Sequence, residues 1–294
     1  MQRRDVRVIS NILRNIIIPP IFYFVRFFKD QRFLQGLNNK ALKPVIGFRA
    51  ASFIWRGFSF VEKLFSRELT EYSLGKYQNY LRFHYSENGR GYFDYKSLTD
   101  EEKISLFGQP AGRLEYFINN FSNVLAYQDG DSFFDVGCGR GQNTKVLLDR
   151  YGSSPIHGCD ISGDAIDVIR LAVKSDNLKL DVLDITDLEI YKSIPENYYD
   201  HVVMSHVFSF LTGKNVEETR KLRQLIIGQL VRIARKTVII IGSSSILSND
   251  EKFVIEQNHR GNFREPIINY FDHIKGTAVI AKSQHSYALI YGNN

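Results

Sequence analysis

Three glycines near the middle of the chain are the residues whose type and spacing most clearly suggest chemistry. Gly137, Gly139 and Gly141 fall within FFDVGCGRGQN, residues 133–143. Glycine in an ordered element loses conformational entropy and side-chain contacts, so three of them so close together need a reason. They either shape a tight turn or let the backbone approach a ligand that a Cβ atom would block.

The glycine spacing excludes two common nucleotide-binding patterns. A dinucleotide fingerprint reads G-x-G-x-x-G, but its last position falls on Gln142 when counted from Gly137 and on Thr144 when counted from Gly139. A phosphate-binding P-loop requires Gly-Lys-Ser/Thr, which does not follow. We therefore expect neither a hydride-transfer enzyme nor a P-loop nucleotidase.

The elements that must position the glycines begin near Asp131, where short β-rich runs start to alternate with helical stretches. This alternation predicts an α/β fold, a doubly wound, mostly parallel Rossmann-like sheet of seven strands. Its last two strands are too closely spaced for a helical crossover, so they should form an antiparallel hairpin. The predicted strands are 132–137, 155–160, 178–184, 199–205, 237–243, 277–283 and 287–292, and the predicted helices are 144–151, 162–174, 215–236 and 263–274.

The glycine cluster lies between the first strand and the first helix, which is the usual ligand crevice of an open sheet. DVGCGRG (135–141) resembles the first motif of the class I S-adenosylmethionine-dependent methyltransferases. GCDIS (158–162), VLDITDL (182–188) and YYDHVVMSHVFSFL (198–211) resemble the motifs of the next three strands, in the same order. The resemblance extends from about Asp131 to Asn294.

The resemblance implies S-adenosylmethionine as the cofactor and no metal. Asp160 would accept hydrogen bonds from the ribose hydroxyls and Asp184 from the adenine amine, which suits carboxylates at strand ends. Both acids could instead be solvated strand-end residues. The other cofactor-binding positions that the resemblance implies are Asp135, Gly137, Cys138, Gly139, Gly141, Ile161, Ile185 and Ser205.

Methyl transfer needs alignment of donor and acceptor, and a hydroxyl acceptor also needs its proton removed. His206 follows the fourth strand, where a general base would face the methyl group, although it could instead pack against the cofactor. His201, inside that strand, is predicted to be a buried or edge histidine. The segment SHVF (205–208) disfavours methylation of nucleobase amines, which usually comes with Asn or Asp before Pro-Pro-aromatic.

The polar stretch 243–266 is long enough to be a substrate loop. His259, Arg260 and Arg264 could hold an anionic or sugar-like acceptor there, or they could simply be solvated charges. Closer to the N-terminus, Tyr92, Tyr95 and Arg113 are candidates for covering the donor.

The chain has 294 residues, of which 44% are apolar and 24% charged, so we expect a globular protein and not wholesale disorder. Its net charge of +6 is uneven, because residues 1–50 hold ten Lys and Arg but only two acids. Cys138 and Cys159 lack metal-ligand spacing and are expected to be reduced and buried. The apolar run 15–25 is too short to span a membrane and no signal cleavage site follows it, so we expect a cytoplasmic protein.

We predict two domains: a basic, aromatic-rich helical cap over 1–110 and the methyltransferase domain over 111–294. The aromatic residues of 1–65 could form the core of the cap, anchor an anionic membrane surface or stack on nucleic acid, the last being less favoured. The leader NILRNIIIPPIFYFVRFFK (11–29) resembles leaders of methyltransferases that accompany bacterial surface-polysaccharide synthesis.

This second resemblance implies O-methylation of a saccharide or lipid-linked saccharide, with peripheral contact at the inner membrane face. The alternatives are methylation of another small molecule or of RNA, and a non-catalytic scaffold that keeps the fold.

Overall fold

The structure is a computed structural model that describes residues 98–109, 113–242, 267–271, 274, 276–282 and 287–292. Several predictions concern other parts of the chain and lie outside the described residues. They are the cap up to residue 97, the basic arm, the candidate donor-covering Tyr92 and Tyr95, and the substrate-loop residues His259, Arg260 and Arg264.

Seven strands form one sheet in the order β3-β2-β1-β4-β5-β7-β6. Strands β1 to β5 pair in parallel, and β7 runs antiparallel to both β5 and β6, which confirms the predicted fold class and hairpin. The strand bounds are β1 Phe133–Val136, β2 Ile156–Asp160, β3 Leu178–Val182, β4 Tyr199–Ser205, β5 Ala234–Gly242, β6 Thr277–Lys282 and β7 Tyr287–Gly292.

The strand order reverses between β1 and β4, so the connections that leave these two strands diverge to opposite sides of the sheet. In open α/β sheets, ligands bind at the carboxyl ends of the strands beside such a reversal. The glycine loop leaves β1 at this point, and Ser205 ends β4 next to it. The topology therefore puts the glycines and the loop after β4 at one crevice.

Seven α-helices lie within the described residues. Two of them show their start signals clearly: the side chains of Thr99 and Glu102 form a capping box before α1, and Ser162 accepts a hydrogen bond from the amide of Ala165 at the start of α5. The helices are α1 Asp100–Leu106, α2 Arg113–Asn120, α3 Ser122–Leu125, α4 Gln142–Arg150, α5 Gly163–Ala172, α6 Glu189–Lys192 and α7 Val216–Ile233, and 3₁₀ turns span Phe208–Phe210 and Ile267–Tyr270. None of these helices is long and apolar enough to cross a bilayer.

The predicted end of the long helix is wrong. Helix α7 stops at Ile233, and Ala234, Arg235 and Lys236 already belong to β5. Arg235 pairs with Asp200 at 2.7 Å and Lys236 pairs with Asp131 at 2.5 Å, so both cations serve the sheet and not the end of a helix. The prediction of a helix over 263–274 is corrected over its described residues, 267–271 and 274, where only a 3₁₀ turn forms, at Ile267–Tyr270.

The core lies on both faces of the sheet. All four side chains of β1 are buried, as expected for a central parallel strand. Phe133 packs with the cluster formed by α2 and α4, whereas Phe134 packs with the larger cluster that contains much of α7. The two covered faces leave the carboxyl edge of the sheet as the place for a site.

Candidate cofactor-binding site

The loop between β1 and α4 has a backbone that glycine alone adopts without strain. Gly137, Gly139 and Gly141 have φ angles of 68°, 54° and 82°, all in the left-handed region. The amide of Gly141 donates to the carbonyl of Cys138 at 3.0 Å, and the amide of Cys138 donates to the carbonyl of Cys159 at 2.9 Å. The loop is thus tightly turned and fastened to β2.

The three glycines differ in what surrounds the position of a Cβ atom. A Cβ atom on Gly137 would overlap the side chain of Val207, and one on Gly141 would lie 2.5 Å from Cε2 of Phe107. At Gly139, no described heavy atom lies within 4 Å of the Cβ position. Gly139 therefore marks the open side of the loop, where a ligand can approach the backbone.

The side chain of Asp135 supports the loop from inside the fold. It is fully buried and accepts hydrogen bonds from Thr144 Oγ1 at 2.7 Å and from Asn143 Nδ2 at 3.2 Å. Burial raises the pKa of Asp135 to about 6, although these hydrogen bonds favour the charged form. The side chain of Asp135 therefore lies inside the fold and not at the crevice, and its place among the cofactor-binding residues stays a prediction.

The thiol of Cys138 is also directed away from the open side. It packs with Ile166 and Ile169 of α5, so only the backbone of Cys138 remains for a ligand. Cys159 packs in the larger cluster with Tyr191 and Met204. Both cysteines are buried and free, as predicted.

Asp160 joins the loop to the end of β2. Its Oδ2 accepts the amide of Gly139 and its Oδ1 accepts the amide of Ser162, each at 2.9 Å. Burial raises the pKa of Asp160, and these amide hydrogen bonds oppose the rise. A carboxylate offers about four lone-pair sites, so acceptor capacity remains on Asp160 for a ligand hydroxyl.

Asp184 lies two residues beyond the end of β3, and β3 is the neighbour of β2, the strand that ends at Asp160. Its carboxylate is exposed, and Oδ1 accepts from the backbone and hydroxyl of Thr186 at 2.9 and 2.7 Å. The neighbouring Ile185 is buried, and its carbonyl accepts a hydrogen bond from Tyr191. These contacts fix the turn while leaving the carboxylate accessible. Ile161, after Asp160, is half-buried.

His206 follows Ser205 at the end of β4, with an unusual backbone for a non-glycine residue. Its φ is 59°, and its amide donates to the carbonyl of Ile241 at 2.8 Å. Its Nε2 is buried and has no hydrogen-bond partner in the described part of the chain. Burial, together with the charge of Arg113, lowers the pKa of His206 to about 4. The imidazole is therefore neutral at pH 7 and carries a lone pair.

Sequence reasoning missed Arg223, which supports the turn after β4. Its guanidinium is fully buried, donates from Nε to the carbonyl of Leu211 at 2.9 Å and lies 4.7 Å from the ring centre of Phe208. The available signal was its spacing, since Arg223 is three residues before the buried Ile226 on the apolar face of α7.

A second histidine network lies at the opposite edge of the sheet. His201 is fully buried, as predicted, and its ring nitrogens contact Thr237 Oγ1 and Asp131 Oδ2, both at 2.8 Å. These residues are near the amino ends of β5, β4 and β1, away from the crevice. The network ties three strands together and is structural.

The described residues thus fit S-adenosylmethionine: the loop is open at Gly139, Asp160 retains acceptor sites beside it, and Asp184 is an exposed acid at the next strand end. Together with the strand order, they are the features expected of a class I S-adenosylmethionine-dependent methyltransferase domain. Residues 133–225, about a third of the chain, match the family model described as a methyltransferase domain. The match confirms the predicted resemblance and the predicted cofactor.

Among proteins with similar sequences, the malonyl-[acyl-carrier protein] O-methyltransferase of Acetivibrio thermocellus is 27% identical over 130 residues, which are 44% of this chain and 40% of that protein. The ergothioneine biosynthesis protein 1 of Schizosaccharomyces pombe is 31% identical over 109 residues, 37% of this chain and 14% of that protein. The chain therefore spans less than half the length of these curated relatives. A methyltransferase structure from Aquifex aeolicus aligns with a TM-score of 0.46 and 15% identity, covering 68% of this chain and 98% of that one.

Proposed function

We propose that this protein transfers a methyl group from S-adenosylmethionine to an oxygen atom of a hydroxylated acceptor, and that the acceptor is a saccharide or lipid-linked saccharide. The observation that carries the proposal is the open glycine loop beside Asp160, which leaves β1 next to the strand β4 that His206 follows. The loop suits the donor, and the neutral imidazole of His206 suits removal of a proton.

The donor would be held by the chain's own acids and backbone. When bound, S-adenosylmethionine supplies an electrophilic methyl group carried by a sulfonium. Asp160 would accept the ribose hydroxyls, because the amides of Gly139 and Ser162 already fix the orientation of its carboxylate. Asp184 would accept the adenine amine. The backbone at Gly139 would lie against the donor where no side chain intervenes.

His206 would act on the acceptor. A hydroxyl group must lose its proton as its oxygen bonds to the methyl carbon, and a neutral imidazole can accept that proton. The charge of Arg113, which lowers the pKa of His206, would then favour release of the proton. Similarity to an O-methyltransferase of Acetivibrio thermocellus also favours oxygen as the acceptor atom.

The saccharide part of the proposal is supported by the sequence before the domain. The leader at 11–29 resembles leaders of methyltransferases from surface-polysaccharide synthesis, and the excess of basic residues in 1–50 suits an anionic membrane surface. A lipid-linked acceptor at the inner membrane face would combine both features.

The test is turnover of S-adenosylmethionine by the full chain on a panel of acceptors. The panel contains free saccharides, a lipid-linked saccharide in anionic vesicles, an acyl thioester with a free carboxyl group, and RNA. We expect S-adenosylhomocysteine to form with a saccharide acceptor. Turnover only on the thioester or RNA would overturn the saccharide assignment, and donor binding without turnover on any acceptor would indicate a scaffold.

The role of His206 is tested separately. His206→Ala should lower kcat by about 100-fold or more, which is the usual range for a lost general base. Donor affinity, measured by calorimetry, should stay within a factor of about two, because the donor contacts proposed for Gly139, Asp160 and Asp184 follow other strands. Near-normal kcat at saturating acceptor would remove His206 from catalysis.

A further inference from the structure

The segment Leu98–Gln109, called the clasp below, contains α1 and the turn after it. Leu98, Leu106 and Phe107 pack against Ala165 and Val168 of α5. The capping box of Thr99 and Glu102 fixes where α1 begins. The clasp is therefore docked on the helix that follows Asp160.

Phe107 fills the space that Gly141 leaves. A Cβ atom on Gly141 would lie 2.5 Å from Cε2 of Phe107, so the ring rests directly against the glycine loop. The ammonium of Lys145 in α4 lies 6.0 Å from the centre of the same ring. The third glycine of the motif thus faces a protein side chain and not the open side of the crevice.

Three hydrogen bonds join the clasp to the loop. The carbonyl of Gln109 accepts from Arg140 Nε at 2.7 Å and from Gln142 Nε2 at 3.0 Å. The amide of Gly108 donates to the carbonyl of Arg140 at 3.1 Å. Arg140 and Gln142 flank Gly141, so these hydrogen bonds stabilise the left-handed backbone conformation at Gly141.

We propose that Phe107 and the backbone of Gln109 are positioning residues that shape the glycine loop for its cofactor. The inference rests on the proposed binding of S-adenosylmethionine at Gly139. A loop with three left-handed residues has many other conformations, and contacts on its outer side favour the one that the ligand needs. Because such coupling is reciprocal, the ligand should in turn stabilise docking of the clasp.

Calorimetry with S-adenosylhomocysteine tests whether the clasp strengthens binding of the ligand. Phe107→Ala should raise the Kd about 10-fold, within the range usual for coupled sites. Phe121→Ala is the matched control, because Phe121 is also half-buried but packs with Phe117 in the α2 region. It should change the Kd by less than about twofold while costing similar stability. Equal Kd values for wild type and a folded Phe107→Ala variant would overturn the inference.

Hydrogen exchange of the wild-type protein tests whether the ligand stabilises docking of the clasp. Saturating S-adenosylhomocysteine should slow exchange of the Gly108 amide about 10-fold, whereas amides of β6 should not change. Unchanged exchange at Gly108 in a protein that binds the ligand would contradict the coupling. Failure of the wild type to bind would be a different result, since it would remove the cofactor proposal and this inference with it.

Discussion

Replacing Asp135 by asparagine should change how the stability of this fold depends on pH. Asp135 is fully buried under the glycine loop, and burial raises its pKa from 3.8 to about 6. A group whose pKa is raised by folding contributes stability that is fully present below pH 3.8 and is lost as the pH rises through about 6. The ionised carboxylate of Asp135 therefore lowers the free energy of unfolding at neutral pH.

The magnitude follows from the two pKa values. Relative to its protonated form, Asp135 should lower the free energy of unfolding by about 1.6 kcal/mol at pH 5 and by about 3 kcal/mol at pH 8. The stability of the wild type minus that of Asp135→Asn should therefore fall by about 1.4 kcal/mol between these two conditions. Other titrating groups cancel in this difference, because both proteins contain them.

Urea unfolding followed by circular dichroism, at several values between pH 5 and pH 8, measures the difference directly. Asp129→Asn removes one exposed carboxylate and serves as the control for the change in net charge. A difference that stays level would show that the Asp135 carboxylate is solvated, and one that rises with pH would show that the fold stabilises its charged form. Either result would contradict the increase in the pKa of Asp135 on burial.

Three further predictions concern the site and the far edge of the sheet. Gly139→Ala should cost about 1–2 kcal/mol of stability for the left-handed backbone and should weaken binding of S-adenosylhomocysteine, whereas Gly141→Ala should destabilise more in the same unfolding assay because it displaces a packed ring. Equal losses would contradict the difference in their surroundings. His201→Ala should cost about 2–4 kcal/mol, since it leaves buried polar partners unsatisfied, yet calorimetry should find the ligand affinity of the folded protein unchanged. The pH profile of kcat/KM should lose activity as the pH falls through about 4, the pKa of His206, and Arg113→Ala should move this limb to higher pH. A limb near the ordinary histidine value would refute the role of the buried imidazole.

The order of the strands and helices was predictable because buried parallel strands are short, continuous apolar runs. The bounds of β4 agree with the prediction at both ends, and those of β1 differ by one residue at each end. The start of β5 was not predictable in this way. Arg235 and Lys236 suit the last turn of a helix as well as they suit a strand, and only Asp200 and Asp131, far away in the chain, decide between the two.

The residues of the site were predictable from the sequence, but the separate role of each glycine was not. The glycine spacing and the strand-end acids indicated the cofactor. In the structure, the amide of Gly139 donates a hydrogen bond to the carboxylate of Asp160. The glycine spacing alone, however, did not distinguish the two glycines that pack against side chains from the one that a ligand can approach. Val207 and Phe107, which require glycine at 137 and 141, come from distant segments whose contact with the loop depends on tertiary packing.

The most direct test of the proposed cofactor site is a crystal structure of the protein grown with saturating S-adenosylhomocysteine. We expect the nucleoside to lie in the crevice at the carboxyl edge of β1 and β2, with both ribose hydroxyls on Asp160 and the adenine amine on Asp184. The backbone at Gly139 should contact the ligand directly. Ligand bound elsewhere, or an empty crevice at saturating concentration, would contradict it.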